Sequence, residues 1–362
     1  MLDTYSKISF QDEPAVLHFL GSSRIGLQTY DTLRKALYRE RKPWTEALAL
    51  VPQDLAEAVD ARFVWIKNQI VVTREDGTSQ KALWQAQDGS RFESVLMHHR
   101  GRATLCVSCQ VGCAVGCQFC ATGQQGWARN LQTWEILEQA AWARDQMRPR
   151  GKGPRNVVFM GQGEPLLAMD QVGPALQALL DQRRFEIAPR YLSVSTCGVI
   201  EAIEPFYRQF PLIKLAVSLH APRQTLRDQL MPGCRAWPLR HLLPALHHYG
   251  KTTGHELFLE YILIAGVNDS PREAQELALL FAGHEVHVNL IPYNPSEAQA
   301  WKASDRSTID EFQRILVSHG LVATVRHSAG IAVQAACGQL AGKDPRGNNN
   351  GNAWFTEDAN RN

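Results

Sequence analysis

From about residue 100 onward, short apolar runs alternate with amphipathic helical patterns, and this alternation is the strongest constraint on the fold. Strands joined by helices lie parallel in one sheet. The predicted strands are residues 103–107, 156–160, 191–195, 213–219, 256–264, 286–291 and 321–325. About six such units are too few for a closed eightfold barrel. We therefore predict an α/β fold, a partial (β/α)6 TIM-like barrel, with its site at the carboxyl ends of the strands.

Before residue 100 the pattern changes twice, which predicts two further parts of the chain. Residues 1–60 show helical spacing, and strand-like runs separated by turns follow at residues 62–72, 81–85 and 92–98. We therefore predict a helical accessory module at 1–60, a β-meander linker at 61–99 and the catalytic core at 100–342. Residues 343–362 are rich in Asn and Gly and poor in apolar residues, so we predict a disordered tail there.

A basic cluster lies at one helix end of the predicted module and consists of Arg34, Lys35, Arg39, Arg41 and Lys42. Clustered cations contact the phosphates of RNA, although such a cluster is more often a solvated helix face. The formal net charge of the whole chain is only +2, so composition alone does not indicate a nucleic-acid-binding protein. Both interpretations stay open at this point.

The distribution of apolar residues predicts a protein outside the membrane. No apolar run approaches the roughly 18–20 residues that a membrane-spanning helix needs. The first residues contain acids and lack the apolar segment of a secretory signal. We expect a cytoplasmic protein, and a monomer. In a reducing compartment, eight cysteines are more often metal ligands, redox-active groups or buried thiols than structural disulfides.

Five of the eight cysteines lie within residues 105–130, directly after the first predicted strand of the barrel. Three of them follow the spacing C-x3-C-x2-C, namely Cys113, Cys117 and Cys120. Three thiolates can hold three irons of a 4Fe–4S cluster and leave the fourth iron open to a small molecule. The amine and carboxylate of S-adenosylmethionine (SAM) suit that open position. A zinc site that includes the upstream C-x2-C pair of Cys106 and Cys109 is the alternative.

Small and polar residues follow several predicted strands, where a parallel barrel would bring them together. Gly163 and Glu164 come after the second strand, and the ends of later strands carry Ser195, Ser218, Leu219, His220 and Asn294. Glycine lets a ligand approach the backbone closely, and a carboxylate accepts hydrogen bonds from an ammonium or a ribose. One such loop alone is equally an ordinary strand–helix turn. Cys337 lies in an Ala-rich turn, where a lone cysteine is usually a small buried residue.

Six segments in order carry a close resemblance to a known family: RATLCVSCQVGCAVGCQFCATGQQGWARNL, MGQGEPLL, VSTCGV, LAVSLHAP, VNLIPYNP and AACGQLAG. They resemble the RlmN/Cfr family of radical SAM RNA adenine methyltransferases over roughly residues 20–342. The resemblance implies a 4Fe–4S cluster on Cys113, Cys117 and Cys120. It also implies SAM contacts at Gly163, Glu164, Ser195, Ser218, Leu219, His220 and Asn294. The catalytic residues that it implies are Glu93 as proton acceptor, Cys337 as methyl carrier and Cys106 as the partner of Cys337 in a transient disulfide.

The same resemblance implies a mechanism that consumes two SAM molecules per turnover. The first methylates Cys337, and the second, reduced by the cluster, yields a radical that takes a hydrogen from the S-methyl group. The carbon then bonds to adenine, and attack by Cys106 on the Cys337 sulfur releases the product and leaves a disulfide for an external reductant. The expected substrate is 23S rRNA, with tRNA as a second candidate, and methylation at carbon 2 is favoured over carbon 8. The alternatives are a divergent radical SAM methylase with another RNA substrate, or a non-catalytic zinc or redox protein.

Three departures from the family pattern bear on substrate and mechanism. Cys109 stands where the family usually has Ser, and its thiol is either inert or competes for the disulfide. MPGCRAWPL replaces the family's usual MPINKxYPL, and HSAGIAVQAACG replaces a more acidic, RGxDI-like approach to the carrier cysteine. Activity on the family's adenosine therefore does not follow from the resemblance alone.

Overall fold

The computed structural model describes residues 6–21, 24–99, 101–295, 301–326, 330 and 334–341. The tail predicted for residues 343–362 lies outside them. The strands are β1 (Ile8–Ser9), β2 (Phe63–Val64), β3 (Gln69–Glu75), β4 (Ser79–Gln85), β5 (Arg91–His99), β6 (Arg102–Cys106), β7 (Gln110–Gly112), β8 (Trp127–Asn130), β9 (Asn156–Phe159), β10 (Leu192–Thr196), β11 (Lys214–Ser218), β12 (Leu257–Leu263), β13 (Val286–Pro292) and β14 (Val322–Val325).

The helices divide between the amino-terminal region and the crossovers of the barrel. They are α1 (Glu13–Leu20), α2 (Arg24–Arg34, continued by a π turn at Lys35–Arg39), α3 (Trp44–Leu48), α4 (Gln53–Arg62), α5 (Thr133–Met147), α6 (Met169–Leu180), α7 (Ile200–Gln209), α8 (Gln224–Leu230), α9 (Leu239–Thr253), α10 (Pro271–Leu280) and α11 (Arg306–Ser318). Within the described ranges, no helix is both long and apolar enough to cross a membrane.

One ten-stranded sheet organises the molecule, with the strand order β14-β13-β12-β11-β10-β9-β6-β5-β4-β3. The neighbours from β6 to β14 pair in parallel, and the chain returns between them through α5, α6, α7, the pair α8 and α9, α10 and α11. Their apolar residues are buried on both faces, as expected for parallel strands covered by helices. The predicted partial barrel is confirmed, because among the described strands β14 pairs only with β13 and the sheet does not close on itself.

The strands of residues 61–99 extend this same sheet. β5 pairs antiparallel with β6 and places Val95 opposite Cys106, so Glu93 lies just beyond the carboxyl end of β6. The run predicted at residues 62–72 is not one strand, because α4 continues to Arg62 and the chain divides into β2 and β3. Between these two strands the carboxylate of Glu138 accepts hydrogen bonds from backbone N–H groups, which takes the backbone out of a ladder.

The amino-terminal helices are fixed to the barrel by buried polar contacts. Arg184, between α6 and β10, donates to the hydroxyl of Tyr38 at 3.2 Å and pairs with Glu13 at 3.2 Å. On α5, Glu138 accepts a hydrogen bond of 2.5 Å from the hydroxyl of Ser9. Burial raises the pKa of Glu138 to about 7. These contacts hold the helical region on the side of the barrel that carries α5 and α6.

Candidate active site

The cysteine loop is held by a short hairpin between β7 and β8. A Cβ on Gly112, whose φ is +75°, would lie 1.9 Å from the carbonyl oxygen of Gly126, so only glycine fits where the two arms meet. The backbone N–H of Cys113 donates to that same carbonyl at 2.7 Å, and Cys120 N–H donates to the Cys117 carbonyl at 3.1 Å. The loop is therefore bent tightly enough to group Cys113, Cys117 and Cys120 at the end of β6.

Burial and neighbouring thiols strongly influence two of these three cysteines, Cys113 and Cys117. Burial raises the pKa of Cys113 to about 12 and that of Cys117 well above its usual value, and the neighbouring thiols add to both shifts. Thiolates here need strong positive charge, which a bound cluster supplies. In the described part of the chain, no three His, Cys, Asp or Glu side chains are close enough to hold a single metal ion. The role of Cys113, Cys117 and Cys120 as cluster ligands stays a prediction.

Phe119, just before the last cysteine, joins the cysteine loop, also called the cluster loop below, to the end of β11. Its ring contacts His220 edge-on, with ring centres 4.8 Å apart. His220 adopts a φ of +59°, and its Nδ1 accepts a hydrogen bond of 3.1 Å from the backbone of Ile262. Burial lowers the pKa of His220 to about 3, so the ring is neutral at physiological pH. The aromatic residue in the cysteine motif is therefore a packing partner for a residue at the end of β11, two strands away from β9 in the sheet.

The glycine-rich turn after β9 brings a buried carboxylate beside the cysteine loop. Cβ atoms on Gly161 and Gly163 would lie 2.6 Å from the Val107 carbonyl and 2.5 Å from the Gln110 side chain, so the close approach requires both glycines. The carboxylate of Glu164 accepts hydrogen bonds from the backbone of Leu166 at 3.0 Å and of Cys197 at 2.6 Å. Burial raises its pKa. Gly163 and Glu164 therefore lie between the cluster loop and the end of β10, as predicted.

The other predicted SAM-contact residues also lie at the carboxyl end of the sheet. Ser195 and Ser218, on neighbouring strands, have their hydroxyl oxygens 3.4 Å apart. Leu219 is buried, and its backbone N–H donates to the Glu260 carbonyl at 3.1 Å. The amide of Asn294 donates to the Cys337 carbonyl at 3.3 Å. The structure therefore brings these residues to one mouth, which also receives the segment containing Cys337.

Residues 334–341, called the carrier segment below, are clamped over this mouth from two sides. On one side, two groups of the cluster loop donate hydrogen bonds to the carrier segment. The Ala121 N–H donates to the Gly338 carbonyl at 2.7 Å, and the Thr122 hydroxyl donates to the Leu340 carbonyl at 2.7 Å. On the other side Lys81 donates to the Gln334 carbonyl at 3.0 Å. Segments more than two hundred residues apart in the chain are thus tied together by backbone and side-chain hydrogen bonds.

Glu93 belongs to this clamp. Its side chain is buried, one carboxylate oxygen lies 2.9 Å from the ammonium of Lys81, and the other accepts the Ala341 N–H at 2.8 Å. The register of β5 against β6 places it there. The structure therefore puts Glu93 under the carrier segment, with both carboxylate oxygens engaged. Its role as proton acceptor stays a prediction.

Cys106 packs against residues on either side of Cys337, and the disulfide pairing that the family resemblance implies stays a prediction. Cys106, at the end of β6, packs in a small apolar cluster with Val95, Ala335 and Leu340. Burial raises its pKa, and the nearby Cys337 thiol adds to the shift. Cys337 is exposed to solvent. Desolvation by the surrounding protein nevertheless raises the pKa of its thiol, and the negative charge of Glu260 raises this pKa further. Both are free thiols in this structure.

Glu260 is a site residue that the sequence analysis did not select. It lies on β12, it is almost fully buried, and its carboxylate accepts a hydrogen bond of 3.0 Å from Asn289 on β13. Arg326 lies 3.8 Å from the same carboxylate. The signal was present, because Glu260 interrupts an otherwise apolar strand, and a buried acid at such a position needs a reason.

Cys109, for which the sequence offered no account, packs in the main apolar core, whereas Cys106 packs in a separate small cluster. Its thiol donates to the Gln162 carbonyl at 3.6 Å, and its pKa is raised well above the usual value by burial. The neighbours that influence it are Glu164 and Cys113, not Cys106 or Cys337. Of the two alternatives, the contacts favour an inert thiol.

The MPGCRAWPL segment forms the wall behind the cysteine loop. The Gly233 N–H donates to the Val115 carbonyl at 2.9 Å, and a Cβ there would lie 2.6 Å from that oxygen. The next residue, Cys234, is fully buried, and its sulfur lies 3.9 Å from the Cys197 carbonyl. This departure from the family pattern therefore has a packing reason, since the glycine lets the two loops touch.

The Thr122 hydroxyl gives a direct test of the clamp. We expect Thr122→Val to lower turnover by about three- to tenfold, because the Leu340 carbonyl loses its partner and the carrier segment leaves its position more often. Bound iron should be unchanged, since no cysteine is altered. The matched control is Thr133→Val, which removes a hydroxyl donating to the Gln171 carbonyl at 3.1 Å on α5. Equal losses of turnover in both variants would contradict this role of the clamp.

Comparisons with known proteins agree with this geometry. Residues 107–278 match the sequence model of the radical SAM superfamily. The chain is 42% identical to the dual-specificity RNA methyltransferase RlmN of Alkalilimnicola ehrlichii over 331 residues, which cover 91% of this chain and 87% of that protein. It is 44% identical to a probable RlmN of a Parafrankia species, covering 75% of this chain and 74% of the relative.

A solved structure shares this architecture over most of the chain. The crystal structure of a radical SAM methyltransferase from Sphaerobacter thermophilus superposes with a TM-score of 0.86 at 36% identity, covering 94% of this chain and 99% of that one. The family match, over residues 107–278, includes Cys113, Cys117 and Cys120 and the strand-end residues from Gly163 to His220. From sequence and fold together, this chain belongs to the RlmN family of radical SAM RNA methyltransferases.

Proposed function

We propose that this enzyme transfers a methyl group from SAM to a ring carbon of an adenine in RNA, with carbon 2 favoured over carbon 8. The proposed substrates are 23S rRNA and also tRNA, and the dual specificity named for the relatives supports two RNA classes. The observation that carries the proposal is the position of Cys337, clamped at the mouth between the cluster loop and Cys106.

The residues that would hold the cofactors are those grouped at the strand ends. Cys113, Cys117 and Cys120 would bind the 4Fe–4S cluster. SAM, of which we propose two molecules per turnover, would bind against Gly163, Glu164, Ser195, Ser218, Leu219, His220 and Asn294. When bound, the cluster and SAM supply the methyl group and the one-electron chemistry that makes an unreactive ring carbon accessible.

Cys337 would receive the methyl group on its sulfur. The thiolate is the reactive form of a cysteine, and Cys337 is the thiol of the pair that solvent reaches. The raised pKa keeps most of it protonated at neutral pH, whereas the nearby guanidinium of Arg326 favours the thiolate. Clamping by Thr122 and Asn294 would hold this sulfur at a fixed position while SAM and RNA come and go.

Cys106 would then resolve the covalent link between Cys337 and RNA. Its thiolate attacks the Cys337 sulfur, an S–S bond forms, and the S–C bond breaks with its electron pair going to carbon, which is protonated. In this step the two sulfurs are oxidised to a disulfide while the transferred carbon is reduced, and an external dithiol would reduce the disulfide for the next cycle. Glu93, beneath the same segment, is the proposed acceptor of the proton that leaves the adenine ring.

We propose that the helical module at residues 1–60 contributes RNA contacts, the strands of 61–99 supply Glu93 and Lys81, and residues 100–342 form the catalytic core. The shared sheet supports this division of labour, because β5 carries Glu93 directly to the end of β6. An RNA substrate and a redox pair that must be reduced in every cycle also fit a cytoplasmic enzyme.

Iron loading tests the cofactor part of the proposal. Anaerobically reconstituted protein is expected to be brown and to contain about four irons per chain. Cys117→Ala should lose most of this iron, whereas Cys109→Ala should keep it, because the Cys109 thiol is directed to the Gln162 carbonyl in the core. Iron and sulfide analysis with the visible absorption spectrum measures both. A colourless wild-type protein that binds zinc instead would overturn the assignment.

A further inference from the structure

A cavity of about 380 Å³ lies at the opposite end of the barrel from the reaction mouth. The π turn after α2, the residues before β9 and the residues before β10 line it. It is called the basal cavity below. Strands of four or five residues separate the two ends of the sheet, which is about 13–17 Å. The cavity is therefore remote from the cysteine loop and from the carrier segment.

The charges that line the basal cavity are strongly unbalanced. Five cationic side chains face one carboxylate, that of Glu186, and the five are Arg39, Arg41, Arg144, Lys152 and Arg155. In the part of the chain that the structure describes, none of the five has a carboxylate oxygen within 4.0 Å. By contrast, the other cations of the same basic cluster, Arg34, Lys35 and Lys42, each form an ion pair.

Arg144 shows that the imbalance extends into the interior. Its side chain is on α5, it is only 8% exposed, and its hydrogen-bond acceptors are the backbone carbonyls of Arg184 and Tyr38. Burial, together with the charge of Arg41, lowers its pKa to about 10, so the guanidinium still carries its charge at neutral pH. A buried charge without a counter-ion is costly, and a bound anion would remove that cost.

Two further guanidinium groups present suitable binding geometry. The Nε of Arg41 is buried and has no hydrogen-bond partner among the described residues, although another nitrogen donates to the Gly151 carbonyl. Arg155 lies over the ring of Tyr191, 4.5 Å from its centre, and donates to the Tyr191 hydroxyl at 2.5 Å. Planar guanidinium groups with free donors match the oxygens of a phosphate, and an aromatic ring beside them suits a sugar or base.

We propose that the basal cavity is a phosphate-binding site that is separate from the methyl-transfer site. The phosphate has two possible sources of the same chemistry: the backbone of the RNA substrate or a free nucleotide. If the phosphate belongs to RNA, this proposal rests on the proposed function; if it belongs to a free nucleotide, it does not. The cavity is large enough for a phosphate group with its attached sugar, and it lies far from the reacting atoms. A phosphate bound there would therefore increase affinity without taking part in the reaction.

The test uses reconstituted holoenzyme and two probes, inorganic pyrophosphate by calorimetry and an RNA stem-loop by fluorescence anisotropy at several salt concentrations. The variant Arg41→Gln/Arg155→Gln removes two of the cavity's charges. The matched control Arg208→Gln/Arg314→Gln removes two exposed charges that are paired with Glu204 and Glu311. Pyrophosphate should bind at least about tenfold more weakly to the cavity variant and unchanged to the control.

The RNA probe separates the two sources. If the RNA backbone is the ligand, the cavity variant binds RNA more weakly. The slope of log binding constant against log salt concentration becomes shallower by about one to two, and turnover at saturating RNA is unchanged. If a free nucleotide is the ligand, pyrophosphate binding weakens while RNA affinity stays as in wild type. Lys152→Gln, an exposed side chain, guards against a folding defect and should weaken pyrophosphate binding by about threefold. Equal pyrophosphate binding by wild type and all variants, or none by wild type, would overturn the proposal.

Discussion

Cys337→Ala is expected to abolish methyl transfer to RNA, with a loss of more than about a thousandfold. The reason is positional. Cys337 is the exposed thiol at the mouth, whereas Cys106 and Cys109 are both buried in apolar surroundings. No other sulfur on the carrier segment can accept the methyl group in its place. Mass spectrometry of the denatured wild-type protein after incubation with SAM should show one added methyl group on Cys337, and the variant should show none.

Two controls separate loss of the carrier from loss of structure. Cys337→Ser keeps the size of the side chain and should be equally inactive, because a serine hydroxyl is a poor nucleophile at neutral pH. Bound iron should match wild type in both variants, since the cluster ligands are unchanged. Measurable transfer of methyl groups to RNA by Cys337→Ala would remove its role as carrier.

The second large effect concerns Cys106→Ala, which is expected to stop after the first turnover with RNA covalently attached to the protein. Among the described residues, the other nearby thiols are not expected to break the S–C bond between Cys337 and RNA, because Cys109 is directed into the core and Cys120 is a proposed cluster ligand. Turnover should fall by more than about a hundredfold. The adduct should be visible as a slower band in a denaturing gel, and nuclease treatment should remove it.

Cys109→Ala is the matched control for this variant, since it removes a buried thiol only three residues away. It should turn over within about twofold of wild type and form no adduct, because its hydrogen bond to Gln162 is peripheral to the chemistry. The double variant Cys106→Ala/Cys337→Ala should form no adduct either. Clean multiple turnover by Cys106→Ala would refute its role as the resolving cysteine.

Much of the barrel could be predicted because its strands have a local sequence pattern that distinguishes them from the helices. The runs at residues 156–160 and 191–195 are rich in apolar and β-branched residues and are followed by helical patterns, and the observed strands begin and end within one residue of those predicted. The pairing of β5 with β6 could not be predicted in this way. Which strand edge a meander joins depends on long-range contacts, here Val95 opposite Cys106, that leave no periodic trace in the sequence.

The candidate site shows the same limit. Strand-end residues such as Ser195 and Ser218 could be placed together, because parallel strands end at one edge. The clamp could not, since it joins Lys81 and Glu93 to residues near position 340. The basal cavity is hidden for the same reason, because Arg41, Arg144 and Arg155 come from three distant segments and converge only in the folded chain.

The most direct test of the central claim is the isotopic composition of the methyl group on the product. Reconstituted enzyme is incubated with an external reductant, RNA and SAM whose methyl group is fully deuterated. The masses of the product nucleosides are then measured by mass spectrometry. Because one hydrogen leaves the S-methyl group of Cys337 before the carbon bonds to adenine, 2-methyladenosine should retain two of the three deuterium atoms. A methyladenosine that keeps all three, or one methylated on a ring nitrogen, would contradict transfer through Cys337 by the radical route.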